Sequence, residues 1–541
     1  MREIKGLKNY AFDQRVELDE MLRARDQRLE RQKHFLKETG LPLLSVTLNI
    51  PGDIKRTRLS SLFFKYETKR LQDALEGLGA RIARYNFVRE KTGDEAIYAV
   101  EGLSVRALKQ LAMTLEARCP ASRLLDLDVI DKEGVQINRS SLGFPPRSCL
   151  LCDQPASICA RSRAHSKEAL DREIKQRLEQ AVAEEMASRM AAFASEASSF
   201  ELMVSKKPGL VTMRSSGSHD DMNRFTFGRA QSGFFTYYEA AFRVGFFATG
   251  EALTDDCEKN ASMIERASGR SSNESCSLTI AAISTLSLDD ANKLRLEGVF
   301  AERRMLESTG GVNTHRGWIY MSGVLLAAMG LLYRRVLEED TIAFATQDDL
   351  KKVVQSLIVD VARSLENVVD ASPIFEKVKS ALPVASEAVG VRKEALRGFP
   401  SIMETGLQVM ASCCRETTGV DDAGREDALG RRVFLALLGA VEDTTLRKRG
   451  GDARAEALRT FLLNCWISGD HRIPDEPDEW RAALINADDA SIDSCLSSLE
   501  LQFAEEGLTA GGTADALAGT RLIYAFLQDI TNVLLFWRLT P

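Results

Sequence analysis

Proline, aromatic residues and long uncharged stretches are all scarce in this sequence. Proline contributes 13 of the 541 residues and aromatic side chains 7%, while the abundance of Ala, Leu, Glu and Arg favours helix along much of the chain. A membrane-spanning helix needs about 20 consecutive apolar residues. The nearest candidate, between Arg316 and Arg334, is interrupted by Ser322, Gly323 and Gly330. We therefore expect a buried helix there and no membrane partner.

The amino terminus lacks the cationic and then apolar layout of a secretory signal peptide. In the absence of such a signal, ten cysteines in a chain of this length indicate reduced thiols rather than a disulfide framework. Together these two features predict a cytoplasmic protein.

Charge is distributed unevenly along the chain. Residues 1–178 carry a net charge of +8 and the remainder −15, which gives the −7 of the whole sequence. A basic module suits an acidic partner or a polyphosphate. We expect no nucleic-acid partner, because there is no basic stripe interleaved with aromatic residues and no recognition-helix signature.

The apolar pattern divides the chain into two parts. Up to about residue 140, helical segments alternate with short apolar runs typical of strands, such as residues 41–50. From Lys167 to Ser198 a helical pattern runs without Gly or Pro, and nearly every later segment has helical periodicity. We predict an α+β domain over residues 1–175 and a larger all-α domain over residues 176–541.

Two aspartates lie two positions apart in the strand-like run at residues 123–130. The strand period of two places Asp126 and Asp128 on one face and Leu125, Leu127 and Val129 on the other. Two such carboxylates can bind Mg²⁺, which bridges phosphate oxygens and stabilises a pyrophosphate leaving group. Solvated aspartates at a strand end are the alternative.

A cysteine-rich segment follows with the spacing C-x2-C-x6-C-x5-H, formed by Cys149, Cys152, Cys159 and His165. Three thiols and an imidazole could hold a structural Zn²⁺. The spacing matches no zinc finger that we can assign, so we favour reduced, buried cysteines. Arg161 and Arg163 supply planar donors suited to phosphate oxygens, the alternative being surface arginines.

These motifs occur together with a helical start that contains Arg23, Arg28 and Gln32, and with LNIPGDIK at residues 48–55. With RLLDLDV at 123–129, CLLC at 149–152 and CARSRAHSKEAL at 159–170, the combination resembles the apo-citrate lyase phosphoribosyl-dephospho-coenzyme A transferase family over residues 10–175. That family usually has Gly before the arginine of RLLDLDV, where this chain has Ser122.

This resemblance implies a nucleotidyltransferase-type domain. A serine of an acyl carrier protein would attack the α-phosphate of a triphosphoribosyl group, and pyrophosphate would leave. Asp126 and Asp128 would be catalytic and hold Mg²⁺, and Arg123, Arg161 and Arg163 would bind the substrate. Acyl carrier proteins are typically acidic, so the positive charge of this part would steer the encounter.

Polar, glycine-bearing segments recur four times in the second part. The first, residues 205–222, combines donors for phosphate with carboxylates for a metal, supplied by Lys206, Lys207, Gly217, His219, Asp220 and Asp221. The second, residues 308–317, leads into an apolar helical run and contains Gly311, Asn313, His315 and Arg316. Free amides at a helix start favour an anion, although an ordinary capped connection is the alternative.

The third and fourth segments repeat this combination. Residues 441–451 supply Glu442, Asp443, Arg449, Gly450 and Gly451, and residues 509–515 end on Asp515. Each segment alone could be a solvated helix end. Four of them in one helical domain favour one shared site for a polyphosphate and a metal.

In this order the four segments resemble the triphosphoribosyl-dephospho-coenzyme A synthase family over residues 176–540. The chain departs from that family's usual residues at Thr212, Arg316, Thr445 and Lys448. The resemblance implies that the ribose 2′-hydroxyl of dephospho-coenzyme A displaces adenine from ATP and leaves the triphosphate on the transferred ribose.

This substitution needs stabilisation of an oxocarbenium-like centre, a base for the hydroxyl and a proton for adenine. We expect Mg²⁺ to be bound by Asp220, Asp221, Glu442 and Asp443, with Asp221 also catalytic. We expect His219 or His315 to handle the proton. The remaining substrate contacts are expected from Lys207, Gly217, Gly311, Asn313, Arg316, Arg449, Gly450, Gly451 and Asp515.

The two resemblances describe consecutive steps, since the product of the second part is the substrate of the first. They predict a bifunctional enzyme that makes the citrate lyase prosthetic group and attaches it to the apo acyl carrier subunit. One alternative is the same chemistry in the service of malonate decarboxylase. Another is a non-catalytic nucleotide-sensing protein that has kept the pockets.

Overall fold

The computed structural model describes residues 12–249, 286–338, 346–371, 390–414, 422–465 and 477–538. These divide into two compact units. The sheet unit comprises residues 12–186 and 534–538, and the helical unit comprises the described residues of 187–533. Residues 1–11, on which the absence of a signal peptide was argued, lie outside the described residues.

The sheet unit contains one antiparallel five-stranded sheet in the order β2-β3-β1-β4-β5. Its strands are β1 (Leu43–Leu48), β2 (Arg81–Glu90), β3 (Gly93–Glu101), β4 (Leu125–Ile130) and β5 (Gln136–Ile137). Its helices are α1 (Leu18–Thr39), α2 (Arg58–Gly77), α3 (Val105–Glu116), α4 (Ala156–Ser162) and the first half of α5 (Lys167–Met203). The expected α+β architecture of the first part is confirmed.

Helix α1 covers one face of this sheet. Phe35 of α1 packs with Leu43, Ile97 and Ile130 in a buried cluster. This apolar contact fixes α1 over the end of the face at which β1 begins. The other face carries Tyr98, which is bound by Gln72 of α2, so α2 lies on the opposite side of the sheet.

The helical unit contains no strand among its described residues. Its helices after α5 are α6 (Arg224–Gln231), α7 (Phe235–Phe246), α8 (Leu288–Thr309), α9 (Arg316–Glu338), α10 (Gln347–Ala371), α11 (Val391–Leu396), α12 (Leu407–Cys413), α13 (Asp422–Ala440), α14 (Thr444–Gly450), α15 (Asp452–Cys465), α16 (Pro477–Asn486), α17 (Asp489–Glu506) and α18 (Gly511–Arg538). The expected all-α character of the second part is confirmed.

Helix α9 is the core of the helical unit. It is the one described helix long and apolar enough to cross a membrane, and 83% of its apolar window is buried inside the protein. Gly245 of α7 lies directly against the Ala327 carbonyl of α9, where a Cβ would have no room. The close approach explains why the apolar stretch after Arg316 packs as a buried helix.

Candidate active sites in the two units

The aspartate pair lies on the sheet face that α1 covers. Leu125 and Leu127 of β4 are buried, whereas Asp126 and Asp128 are partly exposed, as the strand period predicts. In the register, Thr47 of β1 is opposite Asp126. Residues that are opposite each other on neighbouring strands point to the same face of the sheet. The aspartates therefore share their face with polar residues of β1 and β3.

On the other side of β1, Thr47 is opposite Glu95 of β3, and Glu95 is buried. Two arginines of α1 hold it, with Arg28 at 2.5 Å and Arg31 at 2.6 Å. Gln32 of the same helix donates to Ser45 at 3.1 Å. The middle of α1 therefore presents cationic and amide groups to the polar end of the face.

The two aspartates influence each other electrostatically. Burial raises the pKa of Asp128, and the neighbouring charge of Asp126 raises it further, against a hydrogen bond from Gln136. The guanidinium of Arg147 lies 3.4 Å from Asp126 and also bonds Glu116. A cation placed between the aspartates would relieve their repulsion.

Arginines gather at the start of β4. Arg147 donates to the Leu125 carbonyl at 3.0 Å, and Arg123 donates to the Ser148 carbonyl. Burial lowers the pKa of Arg123, and the charges of Arg147, Arg139 and Arg177 lower it further. Positive charge is thus concentrated beside the aspartate pair, where a polyphosphate would neutralise it.

Arg161 and Arg163 lie at the end of α4 and are exposed. Neither makes a hydrogen bond or ion pair with the aspartate pair in the described part of the chain. Their assignment to the substrate stays a prediction.

The cysteine-rich segment converges in space. The ligand atoms of Cys149, Cys152, Cys159 and His165 all lie within 4.8 Å of one another. This cluster is the only group of at least three such ligand atoms in the described residues, so Asp220, Asp221, Glu442 and Asp443 do not form a ready-made set of that kind.

In the helical unit the first segment folds as two interlocked turns. Gly217 has φ +60°, and a Cβ there would lie 2.5 Å from the backbone of Gly209. Gly209 has φ +69° and abuts the Leu508 carbonyl. The first segment therefore meets the backbone just before the fourth segment through a contact that only glycine permits.

Lys207 is fully buried in this arrangement. Its ammonium group bonds the Glu201 carboxylate and also the Glu201 carbonyl, at 2.5 Å for the latter. Burial lowers the pKa of Lys207, although the charge of Glu201 opposes the shift. Lys207 thus forms a buried ion pair as well as belonging to the predicted phosphate donors.

His219 joins the first segment to the fourth. Its Nε2 lies 3.1 Å from the Thr509 hydroxyl, and its Nδ1 lies 4.0 Å from the exposed carboxylate of Asp221. Burial lowers the pKa of His219, and the charge of Arg449 adds to the shift. Arg449 itself donates to the Ser218 carbonyl at 3.1 Å, which brings the third segment to the same place.

The carboxylates of the third segment differ from each other. Asp443 is buried and accepts hydrogen bonds from Thr445, Leu446 and Thr513, so it caps α14 and fastens it to the start of α18. Burial raises its pKa, with these bonds opposing the rise. Glu442 instead pairs with Lys393 at 2.8 Å. Gly450 and Gly451 end this segment, at the carboxyl terminus of α14.

His315 of the second segment is buried between the rings of Phe227 and Phe234, at centroid distances of 4.6 and 5.4 Å. Burial, with a contribution from Lys207, lowers its pKa to about 3. Its Nδ1 lies 2.7 Å from the Thr314 hydroxyl, and its Nε2 has no hydrogen-bond partner among the described residues. The imidazole is therefore neutral near pH 7.

The rest of the second segment forms the start of α9. Gly311 has φ +94°, and Asn313 accepts from the Arg316 amide at 3.1 Å. The Asp515 carboxylate lies directly against Gly317 in the first turn of α9. Burial raises the pKa of Asp515 well above its usual value, and the charges of Glu201 and Asp443 add to the rise.

A cavity of about 140 Å³ adjoins Arg316. Arg295 and Arg392 also line it, together with the aromatic rings of Tyr237 and Tyr320. Its arginines suit a small anionic group, and Glu302, which also lines the cavity, pairs with Arg316.

Several residues of these sites were missed from the sequence, namely Glu95, Arg147, Glu201, Thr509 and Thr513. Thr509 and Thr513 stand within the TAGGTAD segment and could have been found there. Glu95 and Glu201 carry no motif, because their importance comes from partners brought to them by folding. Arg147 lies two residues before Cys149 but gave no separate signal.

Comparison with known families follows the same two-part division. A family model described as apo-citrate lyase phosphoribosyl-dephospho-CoA transferase matches residues 16–181, and one described as ATP:dephospho-CoA triphosphoribosyl transferase matches residues 187–532.

Individual relatives agree with these matches. Protein CitXG of Haemophilus influenzae is 26% identical over 95% of this chain and 97% of its own length. Protein CitXG of Leuconostoc mesenteroides subsp. cremoris is 25% identical over 93% and 96%, respectively. A probable apo-citrate lyase phosphoribosyl-dephospho-CoA transferase of Vibrio cholerae is 40% identical over 29% of this chain and 89% of its own length.

Proposed function

Since the chain belongs to the apo-citrate lyase phosphoribosyl-dephospho-CoA transferase family over residues 16–181 and to the ATP:dephospho-CoA triphosphoribosyl transferase family over residues 187–532, we propose that it makes and attaches the citrate lyase prosthetic group. The carboxy-terminal domain converts ATP and dephospho-CoA into triphosphoribosyl-dephospho-CoA and adenine. The amino-terminal domain transfers this product to a serine of the apo acyl carrier subunit and releases pyrophosphate.

The convergence of the four polar segments carries the proposal for the helical unit. Glycine turns join the first segment to the fourth, Arg449 joins the third to the first, and Asp515 meets the second at Gly317. The cavity beside Arg316, which three arginines line, has room for one phosphate group of the nucleotide. Lys207, Arg316 and Arg449 are the proposed contacts for phosphate.

His219 is the better candidate for the proton-handling group. A base whose conjugate acid has a pKa of about 3, as for His315, accepts a proton poorly near neutral pH. His219 keeps an 11% exposed side chain and has Asp221 beside it. Its imidazole can take the proton of the attacking ribose hydroxyl, while His315 offers a neutral Nε2 to a ligand.

In the sheet unit, Asp126 and Asp128 are the proposed magnesium ligands of a nucleotidyltransferase-type site. Their shared face and the raised pKa of Asp128 fit a divalent cation. Mg²⁺ held by Asp126 and Asp128 would supply positive charge that stabilises the pyrophosphate leaving group. Arg123 and Arg147 would orient the triphosphate beside the aspartates.

The proposed functional domains are residues 1–175 and 176–541, and the proposed location is the cytoplasm. In the helical unit, Asp220, Asp221, Glu442 and Asp443 are proposed to meet Mg²⁺ only together with the triphosphate. A substrate-borne metal of this kind needs no ready-made cluster of ligands.

Mass spectrometry of the purified protein with ATP, Mg²⁺ and dephospho-CoA tests the first reaction. We expect free adenine and a triphosphoribosylated product. Apo acyl carrier subunits of citrate lyase and of malonate decarboxylase are then added in parallel, and the mass gain of each is measured. Preference for the citrate lyase subunit supports the proposal.

Two other outcomes would change the proposal. If ATP is bound but remains intact, the nucleotide-sensing alternative replaces the synthase. If adenine is released but only the malonate decarboxylase carrier is modified, the chemistry stands and the partner is different.

A further inference from the structure

We propose that Cys149, Cys152, Cys159 and His165 form a structural zinc site that positions Arg147 and the start of β4 beside the aspartate pair. The four ligand atoms lie within 4.8 Å of one another. Three sulfurs and one imidazole nitrogen are a ligand set that structural zinc sites use.

Two separations between ligand atoms are close to those expected in a tetrahedral site around one ion. With Zn–S bonds of about 2.3 Å and a Zn–N bond of about 2.0 Å, tetrahedral geometry requires ligand separations of about 3.5–3.8 Å. The Sγ atoms of Cys152 and Cys159 are 3.5 Å apart, and Cys152 Sγ lies 3.4 Å from His165 Nε2. A disulfide would need an S–S distance of about 2.05 Å.

The local backbone explains why four separated residues meet. Ser148 pairs with Pro155 as an isolated bridge, and the Cys149 amide donates to the Gln154 carbonyl at 2.7 Å. We call this turn, residues 148–155, the knuckle. It folds the first two cysteines back towards α4, which carries Cys159. Arg163 then adopts a left-handed conformation with φ 51°, which turns the chain so that His165 faces the thiols.

All four ligands come from the protein, so the site is closed. Catalytic zinc sites keep one position for water or substrate, whereas structural sites are filled by four side chains. Cys159 is buried and the other three ligands are partly buried. The role inferred for the ion is therefore to hold this segment together.

The knuckle is attached to the residues that precede the aspartate pair. Arg123 bonds the Ser148 carbonyl, and Arg177 bonds the carbonyls of Leu150 at 2.6 Å and Pro120 at 3.2 Å. Arg147, which lies 3.4 Å from Asp126, is two residues before the first cysteine. Loss of the ion would release the segment that orients Arg147.

The first experiment measures zinc in the full-length protein after purification without a metal-affinity column. Elemental mass spectrometry is expected to give about one zinc per chain. The Cys152→Ser and Cys159→Ser variants are expected to lose it. Cys119→Ser is the matched control, since Cys119 is a partly buried thiol of the same unit that contacts Ser122 at 3.2 Å rather than the cluster.

A second measurement on the unmodified protein covers the case in which the variants do not fold. Titration of the thiols with an organic mercurial should release the zinc in step with modification, detected by a metallochromic dye. Protein refolded with Co²⁺ should show thiolate-to-cobalt charge transfer and the d–d absorption of a tetrahedral ion.

Three results would overturn the proposal. These are metal-free protein whose cluster thiols all react freely, a disulfide between two of the cysteines, and zinc content unchanged in both cluster variants.

The effect of the zinc site on activity rests on the proposed function and is measured in a separate assay. Zinc loss should lower carrier attachment at least about tenfold and leave adenine release intact.

Discussion

The sheet unit and the helical unit hold their acidic side chains in different ways. Asp126 and Asp128 are placed by neighbouring positions on one strand, and both remain partly exposed. In the helical unit Asp443 is buried as a helix cap, and Asp515 lies against Gly317, which is distant from it in sequence. One site depends on local geometry and the other on contacts between distant segments.

This difference predicts where each site is vulnerable. A strand keeps its two faces whenever the sheet forms, so the placement of both aspartates on one face tolerates changes elsewhere. The helical site needs glycine turns in contact and buried charges in pairs, because an unpaired buried charge is costly.

The two activities should separate completely by mutation. Asp128→Asn is expected to lower carrier attachment about 10³-fold, since it removes a ligand worth several kcal/mol of charge stabilisation, while adenine release continues. Asp221→Asn should abolish adenine release and leave attachment of supplied triphosphoribosyl-dephospho-CoA unchanged. Product formation by mass spectrometry measures both. A parallel loss of both activities in either variant would show that the sites are not independent.

Breaking the buried ion pair of the helical unit should destabilise it strongly. Lys207→Met leaves Glu201 charged and buried, which costs about 3–5 kcal/mol. Replacing both residues with apolar ones should recover much of this loss. The neighbouring Lys206 is the control, because it pairs with Asp493 on the partly exposed surface, and Lys206→Met should cost at most about 1 kcal/mol. Urea unfolding measures the free energy of unfolding of all three variants. Equal losses in the two single variants would show that burial of the ion pair does not set the cost.

Glycine substitutions should affect the units unequally. Gly217→Ala introduces a Cβ 2.5 Å from Gly209 at φ +60°, so it should cost about 1–3 kcal/mol from the backbone conformation alone and also disrupt adenine release. Gly40 of the sheet unit has φ +62° but open space around it. Gly40→Ala should therefore show the conformational cost without loss of activity. Thermal unfolding and adenine assays on both variants test this, and normal adenine release by Gly217→Ala would disprove the importance of the turn.

The last effect concerns pH and acts on stability alone. Burial raises the pKa of Asp360 in the helical unit from 3.8 to about 6. The folded protein therefore disfavours the ionised carboxylate, and the stability lost above pH 6 returns as the pH falls from about 6 towards 3.8. Asp360→Asn should be more stable than the parent protein at neutral pH, with the difference shrinking on acidification. Denaturant midpoints across this range measure it, and a less stable variant at neutral pH would indicate a favourable pair with Arg363 or Arg335.

Much of the first site could be predicted because its signals are local. The period of two placed the aspartates on one face, and the confirmed α+β and all-α characters follow from composition and periodicity. Glu95 and its partners Arg28 and Arg31 could not be predicted as a unit, because α1 and β3 are distant in sequence. In the same way, the sequence alone gave no reason to prefer zinc over free thiols, since the turn at Arg163 is a property of the folded segment.

The amino-acid sequence alone establishes which chemical groups are present, which of them share a strand or a helix start, and which families the two parts resemble. Folding is what buries Lys207 with Glu201, encloses His315 between two aromatic rings while His219 keeps an exposed edge, and brings Gly217 against Gly209. The two kinds of information differ in the distance along the chain over which they act. Periodicity and capping act over a few residues, whereas burial, and the pKa values that follow from it, depend on which distant segments pack together.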